Sequence, residues 1–468
     1  MLTLQNLLAD INDVMWSYVL IAMLIGCALY FTVRTRFVQF RMIGEMVRLL
    51  GDAVPKGKKG DGTKHISSFQ AFVVSLASRI GTGNLAGVAT AIGLGGPGAV
   101  FWMWVIALIG SANAFIESTL AQLYKRKAND SFIGGPAYYM LHGLGLRWMG
   151  VLFAVLISIT FGFAYNSVQS NTICLAWQKA FDIDTTWMGV LLTVTTVVII
   201  FGGIQRIAKV SEALVPFMAI GYMIIAVGVV VCNITSLPHV LKMIFEGAFG
   251  WHQAIGGGMG AAVMQGIKRG LFSNEAGEGS APNAAATAFV THPVKQGLIQ
   301  ALGVFTDTLV VCSCTAFIIL VSGVPADSTN NGIQLTQDAL TSEIGASGSI
   351  FIAVTIFLFA FSSVIGNYYY GEVNIRFITK RKWVLNAYRV LVAAMVMWGA
   401  MMSLDLAWSM ADLMMALLTM CNLVAIVLLS KQVIFLLNDY RAQKRNGVKS
   451  PVFSKDKMPE IENKLEAW

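Results

Sequence analysis

Long apolar segments separated by short polar stretches dominate the chain and predict an integral membrane protein. A helix needs about 20 apolar residues to cross the hydrocarbon core. Segments of about this length lie near residues 14–33, 68–95, 98–124, 148–178, 187–205, 210–232, 251–270, 296–323, 347–371, 384–403 and 409–430. The expected fold class is therefore all-α, with about 11 transmembrane helices. Two amphipathic stretches outside these segments, 238–250 and 335–344, are expected to form short interfacial helices.

Two of the predicted membrane segments contain residues that interrupt helices. They are residues 80–84 (Ile-Gly-Thr-Gly-Asn) in the second segment and 256–260 (Gly-Gly-Gly-Met-Gly) in the seventh. Each glycine costs about 1 kcal/mol relative to alanine in a helix. Freed backbone groups in hydrocarbon must meet a polar partner or line a cavity. Paired broken helices in the two halves of a chain indicate a transporter whose binding site lies near the bilayer midplane.

Basic residues collect in every second connection and predict the orientation. Eight of them lie between Arg34 and Lys64, and others lie at 125–127, 206–209, 268–269, 376–382 and 441–445. The positive-inside rule places these connections in the cytoplasm, the N-terminus outside and the C-terminus inside. The expected location is the inner (plasma) membrane of a bacterium.

The segments divide into one extra helix and two groups of five. The predicted domains are 1–66 (N-terminal helix and basic cytoplasmic loop), 67–232 (first five-helix repeat), 233–430 (second repeat, with the interfacial helices) and 431–468 (cytoplasmic tail). Because five is odd, the two groups have opposite orientations in the membrane, as in an inverted repeat.

Composition agrees with a membrane protein and argues against other classes. Hydrophobic residues make up 56% of the chain and charged residues 12%, against about 25% charged in soluble domains. The net charge of +8 follows from the basic connections, and no motif for nucleic-acid binding is present. No histidine pair has metal-ligand spacing and no phosphate-binding loop occurs, so we expect neither an enzyme nor an ATP-driven pump, and no cofactor. The chain is expected to function as a monomer.

Three charged residues within the segments are candidates for function. Arg79 precedes the first interruption, while Glu117 and Asp307 lie inside the third and eighth segments. A charge within a membrane is costly and is usually paired. Arg79 is therefore expected either to form an ion pair with Glu117 or Asp307, which would lock or gate one conformation, or to bind a substrate carboxylate directly.

Polar residues near the interruptions are candidates for binding, each with a structural alternative. The functional candidates are four consecutive residues, Gly81, Thr82, Gly83 and Asn84. Their amides could bind a carboxylate and their carbonyls a cation. Alternatively, the small residues among them allow close packing against a neighbouring helix. Gln169 either faces the central site or bonds a neighbouring helix. The hydroxyls of Ser362 and Ser363 either bind a hard cation or bond back to their own helix. Gly258 and Met259 are expected to limit the space for the substrate side chain.

Four long motifs resemble the alanine or glycine:cation symporter family. They are SRIGTGNLAGVA (78–89), GGPGAVFWMW (95–104), FIGGPAYYM (132–140) and GLFSNEAGEGSAPNAA (270–285). The family is similar to LeuT-type transporters, which have a five-plus-five inverted repeat and two broken helices. The resemblance implies symport of alanine or glycine, with D-alanine as a further candidate, together with Na⁺. Where this chain has Glu278, many family members have methionine.

The resemblance also implies roles for individual residues. The amides of Thr82 and Gly83 would hold the substrate carboxylate, Asn84 would contact substrate or ion, and Gln169 would lie beside the substrate. The cation site would comprise the carbonyls of Ala77 and Ile80 with Ser362 and Ser363. Three alternatives remain: a proton-coupled symporter, an exchanger or uniporter that uses the same site, and a membrane receptor that binds an amino acid without moving it.

Overall fold

A computed structural model describes residues 9–52, 66–128, 131–202, 204–250, 258–326 and 332–468. These residues form an all-α structure with a single small antiparallel hairpin in the described part, β1 (Arg126–Ala128) and β2 (Ser131–Ile133). The helices are α1 (Ala9–Arg34), α2 (Val38–Arg41), α3 (Ile43–Leu50), α4 (Ser68–Arg79), α5 (Gly83–Gly95), α6 (Gly98–Leu123), α7 (Pro136–His142), α8 (Arg147–Phe181), α9 (Thr185–Ile200), α10 (Ile204–Cys232), α11 (Leu237–Phe249), α12 (Gly258–Asn274), α13 (Ala281–Ala285), α14 (Val294–Ser322), α15 (Gly332–Ile344), α16 (Ser347–Ile378), α17 (Lys382–Met401) and α18 (Leu404–Arg445).

Most of the predicted membrane segments coincide with helices that can cross a bilayer. In the described part of the chain, seven helices are long and apolar enough to cross a bilayer. The number is eight if the bent pair Phe217–Cys232 and Ile234–Phe249 forms one span. The other three predicted segments fall on shorter helices, namely the pair α4 and α5, α9, and α12. The expected helices at 238–250 and 335–344 correspond to α11 and α15. The orientation and the domain boundaries stay predictions.

The interruption predicted at residues 80–84 is confirmed. A capping box between Ser67 and Gln70 starts α4, in which each side chain bonds the backbone amide of the other residue. The helix ends at Arg79, and the next residue, Ile80, has an extended backbone (φ −73°, ψ 96°). The chain becomes helical again at Gly83, first with a π-helical turn. The backbone between these helices is fully buried, so its polar groups need partners inside the protein.

The described residues contain a second interruption, which lies later in the chain than the predicted one. Residues 256 and 257 lie outside the described part, but residues 258–260 are helical and α12 continues to Asn274. The helix is broken at residues 275–280, where Glu275, Gly277 and Gly279 have left-handed backbones (φ 54°, 98° and 83°). The short helix α13 follows. Residues 275–280 fall outside the predicted membrane segments, whereas the structure buries them completely.

Helix packing places the two interruptions together at the centre of the bundle. Helix α6 packs against α12 and α14, and α8 packs against α16 and α17. Contacts between α4 and α16, and between α12 and the first turn of α5, connect these groups. The two broken segments and the middle of α16 therefore share one buried region.

The tail extends the last helix and then folds back. The final predicted segment ended near residue 430, but α18 continues to Arg445. Phe453 then donates its backbone N–H to the carbonyl of Thr291 (2.9 Å), and the indole of Trp468 donates to the carbonyl of Gln122 (2.9 Å). The predicted cytoplasmic tail is thus packed against the ends of α6 and α14.

Candidate substrate and cation site

Thr82 in the first interruption is bound by Gln169 on α8. The amide oxygen of Gln169 accepts from the backbone N–H of Thr82 (3.0 Å) and from its hydroxyl (2.7 Å). Both residues are buried. These two donors are suited to a carboxylate oxygen, which accepts more strongly than a neutral amide. The structure thus brings into contact Thr82 and Gln169, both of which the family resemblance placed beside the substrate.

Asn84 holds the interruption in shape and connects it to α14. Its side-chain oxygen accepts from the backbone N–H of Gly81 (2.9 Å), and its nitrogen donates to Asp307 (2.7 Å). The other carboxylate oxygen of Asp307 accepts from the hydroxyls of Ser273 (2.7 Å) and Thr308 (3.0 Å). Asp307 therefore joins α5, α12 and α14 through hydrogen bonds.

Five oxygens converge where α4 ends against the middle of α16. The hydroxyl of Ser362 lies 3.2 Å from the carbonyl of Ala77, and that of Ser363 lies 3.3 Å from the carbonyls of Ala77 and Ile80. Both hydroxyls also lie near the carbonyl of Phe359, at 2.8 and 3.2 Å. The two interpretations of the serines are therefore compatible, because the same hydroxyls bond back to their helix and face α4.

The sequence did not identify the Phe359 carbonyl, because any residue can supply a backbone carbonyl at that position. A freed carbonyl at the end of α4 and hydroxyls on α16 are the neutral oxygen ligands that hard cations accept. Together these groups could hold a small cation between α4 and α16.

The glycines of the first interruption permit its close contacts. A Cβ on Gly83 would lie 2.9 Å from the Cα of Ser273 and 3.1 Å from the ring of Phe272. A Cβ on Gly81 would collide with the hydroxyl of Ser363. Gly83 therefore lets the first interruption contact the last turn of α12, immediately before the second interruption.

Arg79 does not form the expected ion pair. Its guanidinium is buried and donates one hydrogen bond, to the carbonyl of Gln300 (3.3 Å). Within the described residues, neither Glu117 nor Asp307 lies within 4 Å of it, and its Nε and Nη2 have no hydrogen-bond partner. The physical reason is that the carboxylates of Glu117 and Asp307 accept hydrogen bonds from other groups of the protein.

Glu117 supports the second interruption. Its carboxylate accepts from the backbone N–H groups of Gly277 (3.2 Å) and Gly279 (3.1 Å) and from the side chain of Asn422 (2.8 Å). These amides are free because the chain is not helical there. The sequence signal was present, since two glycines lie in NEAGEGS, but these polar residues fall between the predicted membrane segments.

Glu275 and Glu278 bring two more carboxylates into this region. Glu275 accepts from the hydroxyl of Ser78 on α4 (3.2 Å). Glu278 is fully buried and accepts from the hydroxyl of Tyr165 at 3.1 and 3.0 Å. Tyr165 lies one helical turn before Gln169, and its ring packs on Phe272 at 4.6 Å. Glu278 is therefore linked through Tyr165 to the wall of the region around Thr82.

The structure does not bring Met259 to this cluster. Its side chain is 52% exposed near the start of α12. Ser273, which contacts Gly83, is 14 residues later in the same continuous helix, a distance of about 21 Å at 1.5 Å per residue. Gly258, as the first residue of α12, lies at the same distant end.

Known proteins similar to this chain include amino-acid transporters. The model of the sodium:alanine symporter family matches residues 1–455. The probable sodium/glutamine symporter GlnT of Bacillus subtilis is 52% identical over 465 residues, 99% of this chain and 96% of its own length. The sodium/alanine symporter AgcS of Methanococcus maripaludis is 34% identical over 453 residues, 95% of this chain and 99% of its own.

Solved structures show the same fold at low sequence identity. The crystal structure of MhsT in complex with L-phenylalanine has a TM-score of 0.55 and 12% identity, and the match covers 80% of this chain and 99% of that one. A manganese transporter of Eremococcus coleocola has a TM-score of 0.57 and 15% identity over 89% and 95% of the two chains. The fold is therefore that of the LeuT-like membrane transporters, and the match to the family model over residues 1–455 shows that the chain belongs to the sodium:alanine symporter family.

Proposed function

We propose that this chain imports the small neutral amino acids alanine and glycine, with D-alanine as a further substrate, together with Na⁺ by alternating access. Membership of the family supports sodium-coupled amino-acid transport. The observation that carries the proposal is the convergence of the Ala77 and Ile80 carbonyls with the hydroxyls of Ser362 and Ser363, directly beside the Thr82 amide. One interruption thus offers oxygens to a cation and N–H and O–H donors to a carboxylate.

In this proposal the substrate carboxylate displaces the amide oxygen of Gln169 from Thr82. A carboxylate makes stronger hydrogen bonds with the same two donors, so the exchange favours the bound amino acid. Gln169 then turns and presents its own N–H₂ group to the substrate. Substrate binding then requires only that the side chain of Gln169, on α8, changes its position beside the first interruption.

Aromatic side chains next to the interruption support a small substrate side chain. The ring of Phe272 packs against Tyr165 at 4.6 Å and Trp408 at 4.7 Å and reaches the backbone at Gly83. One extra methylene in such a packed environment changes the binding free energy by about 1–3 kcal/mol. The relative GlnT is named for glutamine, so glutamine is the competitor that tests this size limit most directly.

The cation couples to the substrate by fixing the end of α4. With Na⁺ held by α4 and α16, the amide of Thr82 is preorganised for the carboxylate. The entry of one Na⁺ gains about 2.3 kcal/mol per 100 mV of membrane potential. A tenfold Na⁺ gradient adds about 1.4 kcal/mol, and the sum sustains roughly 500-fold accumulation of a zwitterion.

Proton coupling is the second candidate. The buried carboxylate of Glu278 has a phenol hydroxyl as its hydrogen-bond donor, an arrangement that accommodates a carried proton. A charged carboxylate without a cation is costly in this environment. Sodium coupling would therefore depend on Ser362 and Ser363, whereas proton coupling would depend on Glu278.

The test is uptake of radiolabelled alanine into proteoliposomes under separate Na⁺ and H⁺ gradients. An inward Na⁺ gradient alone should drive accumulation, which unlabelled glycine and D-alanine should block more strongly than glutamine. Accumulation driven by a proton gradient in Na⁺-free buffer would favour the proton-coupled alternative. Counterflow without any ion dependence would indicate an exchanger, and binding without counterflow would indicate a receptor.

A further inference from the structure

A basic pocket lies far in sequence from the transport site, between the turn after α1 and the end of α18. Its volume is about 260 Å³. Five basic side chains line it, namely Arg36, Arg41, Arg441, Lys444 and Arg445. Two come from the first helical connection and three from the last turns of α18, so the pocket joins opposite ends of the chain.

The positive charge of this pocket is mostly unmatched. Lys444 lies 3.1 Å from Glu45 on α3. Glu45 also accepts from Arg48 and from the hydroxyl of Tyr440. Burial alone would raise the pKa of Glu45, but the hydrogen bonds from Arg48, Tyr440 and Lys444 lower it to about 2. The carboxylate of Glu45 is therefore already bound by Arg48, Tyr440 and Lys444.

None of the four arginines of the pocket has an acidic partner within 4 Å among the described residues. Several positive groups around one cavity repel each other unless an anion enters. The pocket is thus a preformed site for a negatively charged group.

The surroundings of the pocket indicate that it opens at the level of lipid headgroups. The α2–α3 region carries four exposed apolar side chains, three or four residues apart in sequence: Phe37, which precedes α2, Phe40, Ile43 and Val47. The opposite sides of α2 and α3 pack on α6 and α14. An amphipathic helix with this pattern lies in the membrane interface with its apolar face among the acyl chains. Tyr30, on the last turns of α1, is exposed beside Arg34 (5.7 Å from ring centroid to guanidinium carbon).

The backbone turns sharply at the pocket. Arg36 and Phe37 both have left-handed conformations (φ 56° and 58°), which are uncommon for residues other than glycine. This turn directs the chain from α1, which crosses the membrane, into α2 and α3. It also places Phe37 of the apolar stripe next to Arg36 of the pocket, so a single ligand with a charged head and an apolar tail could contact both.

We propose that this pocket binds the phosphate group of an anionic phospholipid whose acyl chains cover the stripe of Phe37, Phe40, Ile43 and Val47. Clusters of four to eight basic residues beside a transmembrane helix are typical of anionic lipid recognition. The bound lipid would tie α2 and α3 to the end of α18 and stabilise the fold. This inference does not depend on the proposed substrate or coupling ion.

The first experiment measures thermal unfolding of the purified protein in neutral detergent while phosphatidylglycerol is added. Phosphatidylcholine with the same acyl chains is the comparison lipid. Phosphatidylglycerol should raise the unfolding midpoint in a saturable manner, and native mass spectrometry should detect a retained phosphatidylglycerol molecule. Equal stabilisation by phosphatidylcholine would overturn the proposal. Equal stabilisation by inorganic phosphate at the same concentration would identify a free-anion site and would overturn the lipid assignment.

The matched variants separate the pocket from general surface charge. The test variant is Arg36→Gln/Arg41→Gln/Arg445→Gln, and the control is Lys380→Gln/Arg381→Gln/Lys382→Gln in another basic connection; all six residues are exposed. The test variant should need at least tenfold more phosphatidylglycerol for half-maximal stabilisation, and the control should behave as the wild type. Equal weakening in both variants would show a nonspecific charge effect and overturn the proposal. If the triple variant fails to fold, Arg36→Gln and Arg445→Gln singly provide the same comparison.

Discussion

The amide oxygen of Gln169 accepts two hydrogen bonds from Thr82, one from the backbone N–H and one from the hydroxyl. A neutral oxygen thus occupies both of these Thr82 donors. A substrate carboxylate competes for the same donors, so the charge of residue 169 should control binding.

Gln169→Glu should therefore abolish high-affinity alanine binding. The new carboxylate would keep the donors of Thr82 and repel the carboxylate of the substrate, so we expect at least 100-fold weaker binding at neutral pH. Gln178→Glu adds the same charge at an exposed position of α8 and is the matched control. Equilibrium binding of radiolabelled alanine in saturating Na⁺ is the measurement. Unchanged affinity in Gln169→Glu would show that the carboxylate binds elsewhere.

Ser363→Ala should weaken the response to Na⁺ more than the response to alanine. It removes the hydroxyl that reaches both Ala77 and Ile80 and retains high helix propensity. Because ion and substrate binding are reciprocally coupled, typically by about 1–3 kcal/mol, the Na⁺ midpoint for alanine binding should rise about tenfold or more. Alanine affinity at saturating Na⁺ should change little.

The control for this substitution is Ser347→Ala at the exposed start of α16. Alanine binding is titrated against Na⁺ for the wild type, Ser362→Ala, Ser363→Ala and the control. If neither Ser362→Ala nor Ser363→Ala moves the Na⁺ midpoint, the cation does not bind at this position.

Gly83→Ala and Gly87→Ala should differ sharply although both lie in the same short helix. The Cβ of an alanine at 83 would lie 2.9 Å from the Cα of Ser273, and backbone there cannot yield easily. The Cβ of an alanine at 87 would lie 3.7 Å from its nearest neighbours, an ordinary contact. We expect Gly83→Ala to lose transport and Gly87→Ala to retain it. Similar uptake by the two variants would mean that the close contact of the two interruptions is not required.

Glu117→Ala should destabilise the protein strongly. It leaves the amides of Gly277 and Gly279 and the side chain of Asn422 without their acceptor. Each buried unsatisfied donor costs about 1–3 kcal/mol, so the unfolding midpoint should fall by several degrees. Glu117→Gln keeps one acceptor oxygen and should have a smaller effect. A midpoint equal to that of the wild type in Glu117→Ala would show that water or a rearranged backbone replaces the carboxylate.

The sequence predicted the first interruption well because Gly-Thr-Gly-Asn stands out within an apolar segment. It missed the interruption at residues 275–280 because Glu275 and Glu278 make this stretch look like a water-exposed loop. Hydropathy cannot show that Ser78 and Tyr165 donate hydrogen bonds to these carboxylates. The partner of Arg79 was not predictable for a similar reason. Whether a buried charge meets a carboxylate or, like Arg79, a backbone carbonyl depends on packing between helices that are distant in sequence.

Lys125, two residues after the end of α6, should make stability depend on pH. Its ammonium is buried between the rings of Phe132 (4.2 Å) and Trp468 (4.7 Å) and donates to Gln122 (2.8 Å) and the carbonyl of Ala288 (3.0 Å). Burial penalises the charged form and lowers the pKa of Lys125 from 10.5 to about 7. Between these two values the unfolded chain binds more protons than the folded one, so the free energy of unfolding should rise with pH from about 7 to 10.

Lys125→Met should remove this rise, because methionine fills a similar volume without a titrating group. Lys127→Met, which changes an exposed lysine of the adjacent hairpin, should keep it. The measurement is the unfolding midpoint between pH 7 and pH 9.5 for the wild type and both variants, read as the difference in slope so that other titrating groups cancel. Parallel curves for the wild type and Lys125→Met would show that the ammonium stays protonated in the fold, held by Gln122, Ala288 and the two aromatic rings.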